Sequence, residues 1–162
     1  MTLYSEYRQQ LQSGQIQRAY RGILGFMKRL QNDLRERHPD FVVPANFYQG
    51  QMDISFFTFT SQALVDRKLK MPLVFRHEEF RFDAWLCGNN KKVHQQWLKL
   101  FYEHGWDGHP LSPADTNADY VTKTPLAGFP DFEHPNELSR QIEMSALRFI
   151  ADVEGFLDQN GL

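Results

Sequence analysis

The sequence predicts a single α+β domain, with a mostly antiparallel sheet of about four strands packed with long N- and C-terminal helices. Long amphipathic segments lie near both ends of the chain, and the stretch between them contains short segments of strand character. The chain has 162 residues, about the size of one domain, and shows no internal repeat or interdomain linker. We therefore predict one domain spanning residues 1–162.

The N-terminal part predicts two helices. Thr2 can cap a short helix that ends at Gly14. A longer helix is predicted from about Ile16 to Arg37, because its apolar residues recur every three or four positions, and Pro39 stops it.

The next segment predicts a strand and a short helix. Residues 47–60 are expected to form a strand that is apolar on both faces, which is typical of a central strand covered on both sides. Ser61 can cap a short helix before Pro72 opens the next strand. The residues that make both faces of the predicted strand 47–60 apolar are Ile54, Phe56, Phe57 and Phe59.

A β-hairpin is predicted at residues 73–76 and 80–87. In its second strand, apolar residues alternate with charged, aromatic and thiol side chains, so one face of the strand belongs to the core and the other does not. The mixed face carries Arg81, Asp83, Trp85 and Cys87.

The C-terminal half predicts a helix, a loop, a strand and a long helix. An asparagine of the Asn89-Asn90 pair can cap a helix over residues 91–104. Residues 107–118 are rich in proline and aspartate and predict a loop, and residues 120–124 predict a short strand. The last helix is expected to begin near Asn136.

Composition narrows the function classes. The net charge is −2, from 18 basic and 20 acidic residues, so the chain has no electrostatic drive towards bulk nucleic acid or anionic membranes. The first residues lack the pattern of a signal peptide, and no run approaches the roughly 20 apolar residues of a membrane span. A single cysteine, Cys87, fits a reducing compartment. We therefore expect a cytoplasmic protein.

Asp83 is the first candidate site residue. A carboxylate in a buried strand is costly unless it is paired, and Arg81 on the same face or His77 at the end of the previous strand can pair with it. The bland interpretation is a structural ion pair. The functional one is that Asp83 and Trp85 line a pocket with an aromatic wall. Asp53, at the head of the first strand, is a second candidate buried acid.

The remaining candidates carry weaker signals. His77 ends an apolar strand and can point inward, whereas Glu78 and Glu79 are expected to be solvated at the hairpin tip. Cys87 precedes a helix start, where a thiolate could be stabilised, but a buried inert thiol is the simpler interpretation. No spacing typical of a zinc site is present, and we predict neither a metal nor a cofactor. Loop residues that could bind a cation, but are more simply solvated, are His104, Asp107, His109, Asp115, Asp119 and His134.

Several motifs together resemble a family of small bacterial proteins described as a domain of unknown function. The resemblance covers most of residues 1–158 and implies a shared fold and a recurring constellation of Asp53, His77, Asp83 and Trp85, without implying an activity. The motifs are Gly50-x-Met52-Asp53, Phe56-Phe57-x-Phe59, His77, Phe82-Asp83-x-Trp85-Leu86-x-Gly88-Asn89, and a helix with Gln95, Gln96 and Trp97.

A weaker resemblance concerns the order of elements. A helix, three strands, a helix and a strand is similar to the core of the PD-(D/E)XK nucleases, which use acidic residues and a lysine to hold a divalent cation and activate water. Here the third strand carries Asp83-Ala84-Trp85, so a tryptophan stands in the lysine position. The resemblance therefore implies shared topology without catalysis.

These observations favour a cytosolic, non-catalytic binding or regulatory protein. We predict that Asp53, His77, Asp83 and Trp85 bind an unknown small molecule or protein partner. The alternative is a metal-dependent phosphodiesterase or nuclease-like enzyme, so whether the chain catalyses a reaction stays open. We expect no strong nucleic-acid binding and no membrane association, and aromatic excess together with Trp85 on a partly polar face suggests a homodimer.

Overall fold

The computed structural model of the protein describes residues 1–114 and 118–162, and within these ranges it contains five helices and seven strands. The helices are α1 (Leu3–Leu11), α2 (Gln15–Arg37), α3 (Gln62–Asp66), α4 (Lys91–Glu103) and α5 (Pro135–Gln159). The strands are β1 (Phe41–Val42), β2 (Ile54–Thr58), β3 (Thr60–Ser61), β4 (Leu69–Lys70), β5 (Pro72–Arg76), β6 (Arg81–Gly88) and β7 (Thr122–Gly128).

The main sheet is antiparallel, and its strands follow one another in chain order. β2 pairs with β5, β5 with β6, and β6 with β7. β4 continues β5, because Lys70 opposite Cys87 and Leu73 opposite Ala84 keep the same register along β6. The predicted α+β domain with about four antiparallel strands is therefore confirmed, and a small ladder between β1 and β3 extends it.

Local signals set the helix starts. Thr2 forms a capping box with Ser5 at α1, and the side chain of Ser61 accepts a hydrogen bond from the backbone N–H of Leu64 in α3. Asn90 does the same for Val93 in α4. These three caps are the predicted ones, and each satisfies a backbone N–H that has no acceptor within its helix.

Strand alternation sorts the sheet into two faces. One face carries buried aromatic residues such as Phe57, Phe75 and Phe82, and the rings of Phe75 and Phe82 lie 4.8 Å apart. The apolar stripes of α2 and α5 pack in the same core. Burying each such side chain contributes about 1.5–3 kcal/mol, so this layer dominates the stability of the fold. Core residues from the two long helices include Met27, Leu30, Leu34, Ile142, Phe149 and Val153.

The opposite face of the sheet, here named the open face, follows from the strand register. Ile54 lies opposite Arg76, Phe56 opposite Val74, and Val74 opposite Asp83. Alternation therefore places one set of side chains together on the side away from the helices. The open face carries Ile54, Phe56 and Thr58 from β2, Lys70, Pro72, Val74 and Arg76 from β4 and β5, and Arg81, Asp83, Trp85 and Cys87 from β6.

The first predicted strand is shorter and less central than expected. Of the predicted residues 47–60, only residues 54–58 and residue 60 belong to strands, and Tyr48 meets Phe56 through an isolated bridge. The prediction that this strand is covered on both faces is wrong. Phe56 is only partly buried on the open face, and the ring that stacks on it at 4.8 Å belongs to Tyr48 rather than to a second layer.

The last strand, β7, begins and ends later than the predicted residues 120–124. Its pairing with β6 shifts register between Phe82 and Asp83, which accommodates Pro125 opposite Asp83. Among the described residues, no helix is long and apolar enough to span a membrane.

Candidate functional site: a cleft on the open face

Two adjoining cavities lie on the open face, and we name them together the open-face cleft. Both are lined by Ile54, Trp85 and Asp119. The first, of about 360 Å³, is also lined by Tyr48, Phe56, Thr58, Lys70, Pro72, Cys87 and Gly88. The second, of about 450 Å³, is also lined by Met52, Asp53, Arg76, Glu78, Glu79, Tyr120 and Lys123.

Trp85 lies where the two cavities meet. It is half-buried in β6, opposite Lys123 of β7, and its ring centroid is 5.9 Å from that of Tyr120. Its indole Nε1 is buried and makes no hydrogen bond to a described residue. The indoles of Trp97 and Trp106 differ, since they donate to the carbonyl oxygens of Arg67 and His109. Trp85 therefore differs from the other two tryptophans. Its side chain lines the cleft, and its buried indole N–H group makes no hydrogen bond to a described residue.

The wall of the smaller cavity is largely apolar. Phe56 and Tyr48 stack at one side with centroids 4.8 Å apart, and Ile54 and Pro72 come from the adjacent strands. Apolar and aromatic walls with a few polar groups are typical of sites for small organic molecules.

Asp83 is fully buried and paired, as predicted. Its Oδ2 accepts a hydrogen bond from Arg81 at 3.1 Å and lies 3.6 Å from a guanidinium nitrogen of Arg76. Arg76 also bonds Glu79 at the hairpin tip. Two guanidinium groups neutralise the Asp83 carboxylate, so the structural ion pair describes this residue, and it is not among the residues that line the cleft.

His77 lies on the helix-covered side of the sheet. Its Nε2 is 2.8 Å from the hydroxyl of Ser55, and that hydroxyl donates to the carbonyl oxygen of Gln49 at 2.5 Å. His77 therefore donates to Ser55. Its ring packs between Phe75 and Tyr20, at centroid distances of 4.9 and 5.5 Å.

Ser55, His77 and Asp53 resemble the parts of a nucleophilic triad, but the arrangement does not suit catalysis. Ser55 has no exposed surface, and its proton is already donated to Gln49. A nucleophile must reach its substrate and pass its proton to the base. The Ser55–His77 pair is therefore a structural hydrogen bond that ties the start of β2 to the end of β5.

The expectation that Asp53 is a buried acid is wrong, because Asp53 is exposed. The residues before β2 form a turn, in which Gly50 and Met52 have positive φ angles of 74° and 66°. A Cβ at Gly50 would lie 2.0 Å from the carbonyl oxygen of Ile54, so the turn depends on glycine there. Hydrogen bonds from backbone N–H groups, first that of Gln51, lower the pKa of Asp53.

The sheet separates the four predicted site residues. Trp85 and Asp53 line the same cavity of the cleft. Asp83 lies on the same face but is engaged by two arginines, and His77 lies on the opposite side, next to α2. Their assignment as ligand-binding residues stays a prediction, which the geometry favours most for Trp85.

The candidate cation-binding loop residues are dispersed. His109 pairs with Asp152 at 2.9 Å and His134 with Asp131 at 2.7 Å. Among the described residues no group of three or more histidine, cysteine, aspartate or glutamate side chains could hold a metal ion. Asp115 lies outside the described residues.

Cys87 lies on the floor of the smaller cavity, and its thiol donates to the carbonyl oxygen of Asp119 at 3.0 Å. Burial raises the pKa of this thiol to about 12. Cys87 therefore stays protonated, in line with the inert-thiol interpretation rather than with a reactive thiolate.

Sequence reasoning did not assign Tyr48, Phe56 or Lys70 to the site, and it considered Asp119 only as a loop residue that could bind a cation. The apolar run in β2 did signal a second apolar face, but the period alone does not say whether that face packs against another layer or borders a cleft. Asp119 belongs to a polar loop, and only the tertiary structure brings it beside Cys87.

The first testable prediction concerns pH. Burial lowers the pKa of His77, against a smaller opposing effect of Asp53. Below about pH 6.5, His77 therefore binds a proton more readily in the unfolded chain than in the native state. The free energy of unfolding decreases as the pH is lowered through that range. Urea unfolding measured from pH 7 to 5 should show a smaller loss of unfolding free energy for His77→Gln than for the unsubstituted protein.

His94, whose pKa is also lowered by burial, keeps part of the pH dependence in that variant. His104→Gln, at an exposed position, is the matched control and should keep the full dependence. An unchanged slope in His77→Gln would contradict the assignment.

The fold and the cleft together define the class of protein. It is a single α+β domain whose antiparallel sheet is covered by helices on one face and carries a cleft around Trp85 on the other. The chain belongs to the family described as a domain of unknown function, DUF7000, whose model matches residues 1–157. No curated protein and no solved structure matches it.

Proposed function

We propose that the protein is a cytosolic, non-catalytic binding or regulatory protein that takes a small organic molecule in the open-face cleft. The observation that carries this proposal is the position of Trp85, half-buried where two cavities of about 360 and 450 Å³ meet. Volumes of this size are at the lower end of those found for small-molecule sites. The single free thiol, buried Cys87, supports a reducing compartment.

The chemistry of the described residues supports binding rather than catalysis. Three candidate catalytic groups of the central strands are already engaged or protonated: Asp83 by two arginines, Ser55 by Gln49, and Cys87 by its raised pKa of about 12. A catalytic base or nucleophile needs an accessible, suitably ionised group.

A binding test can use the three tryptophans as separate reporters. In ¹⁵N–¹H spectra, each indole N–H gives its own resonance. Titration with 2-phenylethanol, a neutral molecule with an apolar ring, should move the Trp85 resonance and leave those of Trp97 and Trp106 in place, because their N–H groups bond backbone carbonyls away from the cleft. Trp85→Phe assigns the resonance. A Trp85 signal that does not move would count against the cleft as a binding site.

No observation favours the metal-dependent nuclease as a second candidate. Trp85 stands in the position where the nuclease pattern has a lysine, and Asp83 is neutralised by Arg76 and Arg81. We predict no cleavage of single- or double-stranded DNA or RNA in the presence of Mg²⁺ or Mn²⁺. Cleavage that is lost in a folded Asp83→Ala variant would replace the binding proposal with the enzyme.

Self-association is a separate part of the proposal. Large apolar side chains of α1 are exposed, among them Leu3 at 80%, Tyr4 at 81% and Tyr7 at 69%. An exposed apolar patch on a small domain is a common mark of an interface. Light scattering at micromolar concentration should give the mass of a dimer, and Tyr4→Ser with Tyr7→Ser should give a monomer. A monomer mass for the unsubstituted chain would rule this dimer out.

A further inference from the structure

We infer that the ligand of the open-face cleft is a small zwitterion with an apolar body, the chemistry of an apolar or aromatic α-amino acid. In this assignment Lys70 binds its carboxylate and Asp119 binds its ammonium group. The inference rests on the proposed function, since it names the ligand class of the same cleft.

Lys70 and Asp119 both line one cavity. This is the cavity of about 360 Å³, which Cys87 also lines. Lys70 is the direct partner of Cys87 across β4 and β6, whereas the backbone carbonyl of Asp119 accepts the hydrogen bond of the Cys87 thiol. The side chains of Lys70 and Asp119 are both exposed and can therefore turn towards a ligand.

These two charges are the unpaired ones of the smaller cavity. Neither Lys70 nor Asp119 makes an ion pair of 4.0 Å or less with a described residue, or with the other. The arginines of the neighbouring strands are already paired, since Arg76 and Arg81 both contact Asp83, and Arg76 also contacts Glu79. The cavity therefore offers one free cation and one free anion within the described part of the chain.

Charge balance favours a zwitterion over a simple ion. A bound ammonium alone would leave Lys70 without a counter-charge and bring like charges together, and a bound carboxylate alone would do the same at Asp119. Bringing like charges together is unfavourable, whereas a ligand with both charges satisfies both side chains.

The remaining wall suits the apolar body of such a molecule. Phe56, Pro72 and Trp85 offer apolar surface in the same cavity as the two charged side chains. The adjoining cavity already shows that an ammonium group is accommodated against a ring there, since the Lys123 Nζ lies 4.7 Å from the centroid of Tyr120.

Four matched probes test the inference by calorimetry, with the Trp85 indole resonance as the site reporter. L-phenylalanine carries both charges, phenethylamine lacks the carboxylate, 3-phenylpropionate lacks the ammonium, and 2-phenylethanol is neutral. We expect L-phenylalanine to bind about tenfold or more tightly than either singly charged analogue, since each charge-assisted contact is lost separately.

Variants assign the two contacts. Asp119→Asn should weaken the binding of L-phenylalanine and bind 3-phenylpropionate at least as tightly as the unsubstituted protein does, because a like charge is removed. Lys70→Gln should weaken the binding of L-phenylalanine and bind phenethylamine at least as tightly as the unsubstituted protein does, for the same reason. Asp40→Asn and Lys99→Gln remove the same charges at exposed positions outside the cleft and should change nothing.

The outcomes separate the two proposals. If the four probes move the Trp85 resonance with equal affinity, or if both charge variants bind L-phenylalanine normally, the zwitterion inference is overturned while the cleft remains a binding site. If none of the probes moves the Trp85 resonance, the proposed function fails together with the inference.

Discussion

Asp83→Asn should lower the free energy of unfolding by about 2–3 kcal/mol. The substitution keeps the shape of the side chain but removes the only charge that we find between two guanidinium groups. Arg76 and Arg81 are direct partners across β5 and β6, so without Asp83 two like charges face each other on adjacent strands. Their side chains are 24% and 34% exposed, and solvent screening therefore keeps the loss below that of a fully buried pair.

Urea unfolding at pH 7 measures this effect, and a double-mutant cycle with Arg81→Gln isolates it. Asp53→Asn is the matched control, because Asp53 is an exposed acid at the edge of the same cleft, and its substitution should cost much less than that of Asp83. Equal midpoints for Asp83→Asn and the unsubstituted protein would contradict the buried ion pair.

Gly88→Ala should destabilise the protein by about 1–3 kcal/mol, the usual range for overpacking. A Cβ at Gly88 would lie 2.5 Å from the backbone nitrogen of His94 and 2.8 Å from its Cα. These are backbone atoms of α4, which cannot move aside as the end of a flexible side chain could. The substitution must therefore displace either the end of β6 or the first turn of α4, and Gly88 lines the smaller cavity of the cleft.

Gly155→Ala provides the contrast for this second effect. Gly155 lies inside α5, and a Cβ there would meet no atom within 4 Å, so alanine should stabilise the protein by about 0.5–1 kcal/mol through helix propensity. Thermal unfolding of the two variants should shift in opposite directions. A Gly88→Ala variant as stable as the unsubstituted chain would show that β6 and α4 are not packed as closely as described.

Local signals explain what the sequence could predict. Helix starts at Thr2, Ser61 and Asn90 depend on side chains that cap their own helices, so the pattern of a few residues suffices. The alternation along β6 likewise predicted that Asp83 and Trp85 share a face, because strand geometry alone decides that. The pairing of Asp83 followed from the high cost of burying a lone carboxylate.

Non-local contacts explain what the sequence could not predict. Asp53 appeared to be a buried strand residue, but the turn at Gly50 places it in solvent. His77 and Trp85 belong to opposite faces of one sheet, which depends on the register between β5 and β6. Asp119 lies at the cleft, where its carbonyl oxygen accepts the hydrogen bond of the Cys87 thiol, and no local pattern encodes that contact.

A crystal structure of the protein soaked with 2-phenylethanol tests the central claim most directly, since it shows whether the open-face cleft receives a small organic molecule. We predict ring density against Trp85 and Phe56 in the smaller cavity, and no such density in crystals of a folded Trp85→Ala variant. A soaked crystal in which the molecule occupies another site, while ordered water alone fills the cleft, would contradict the claim.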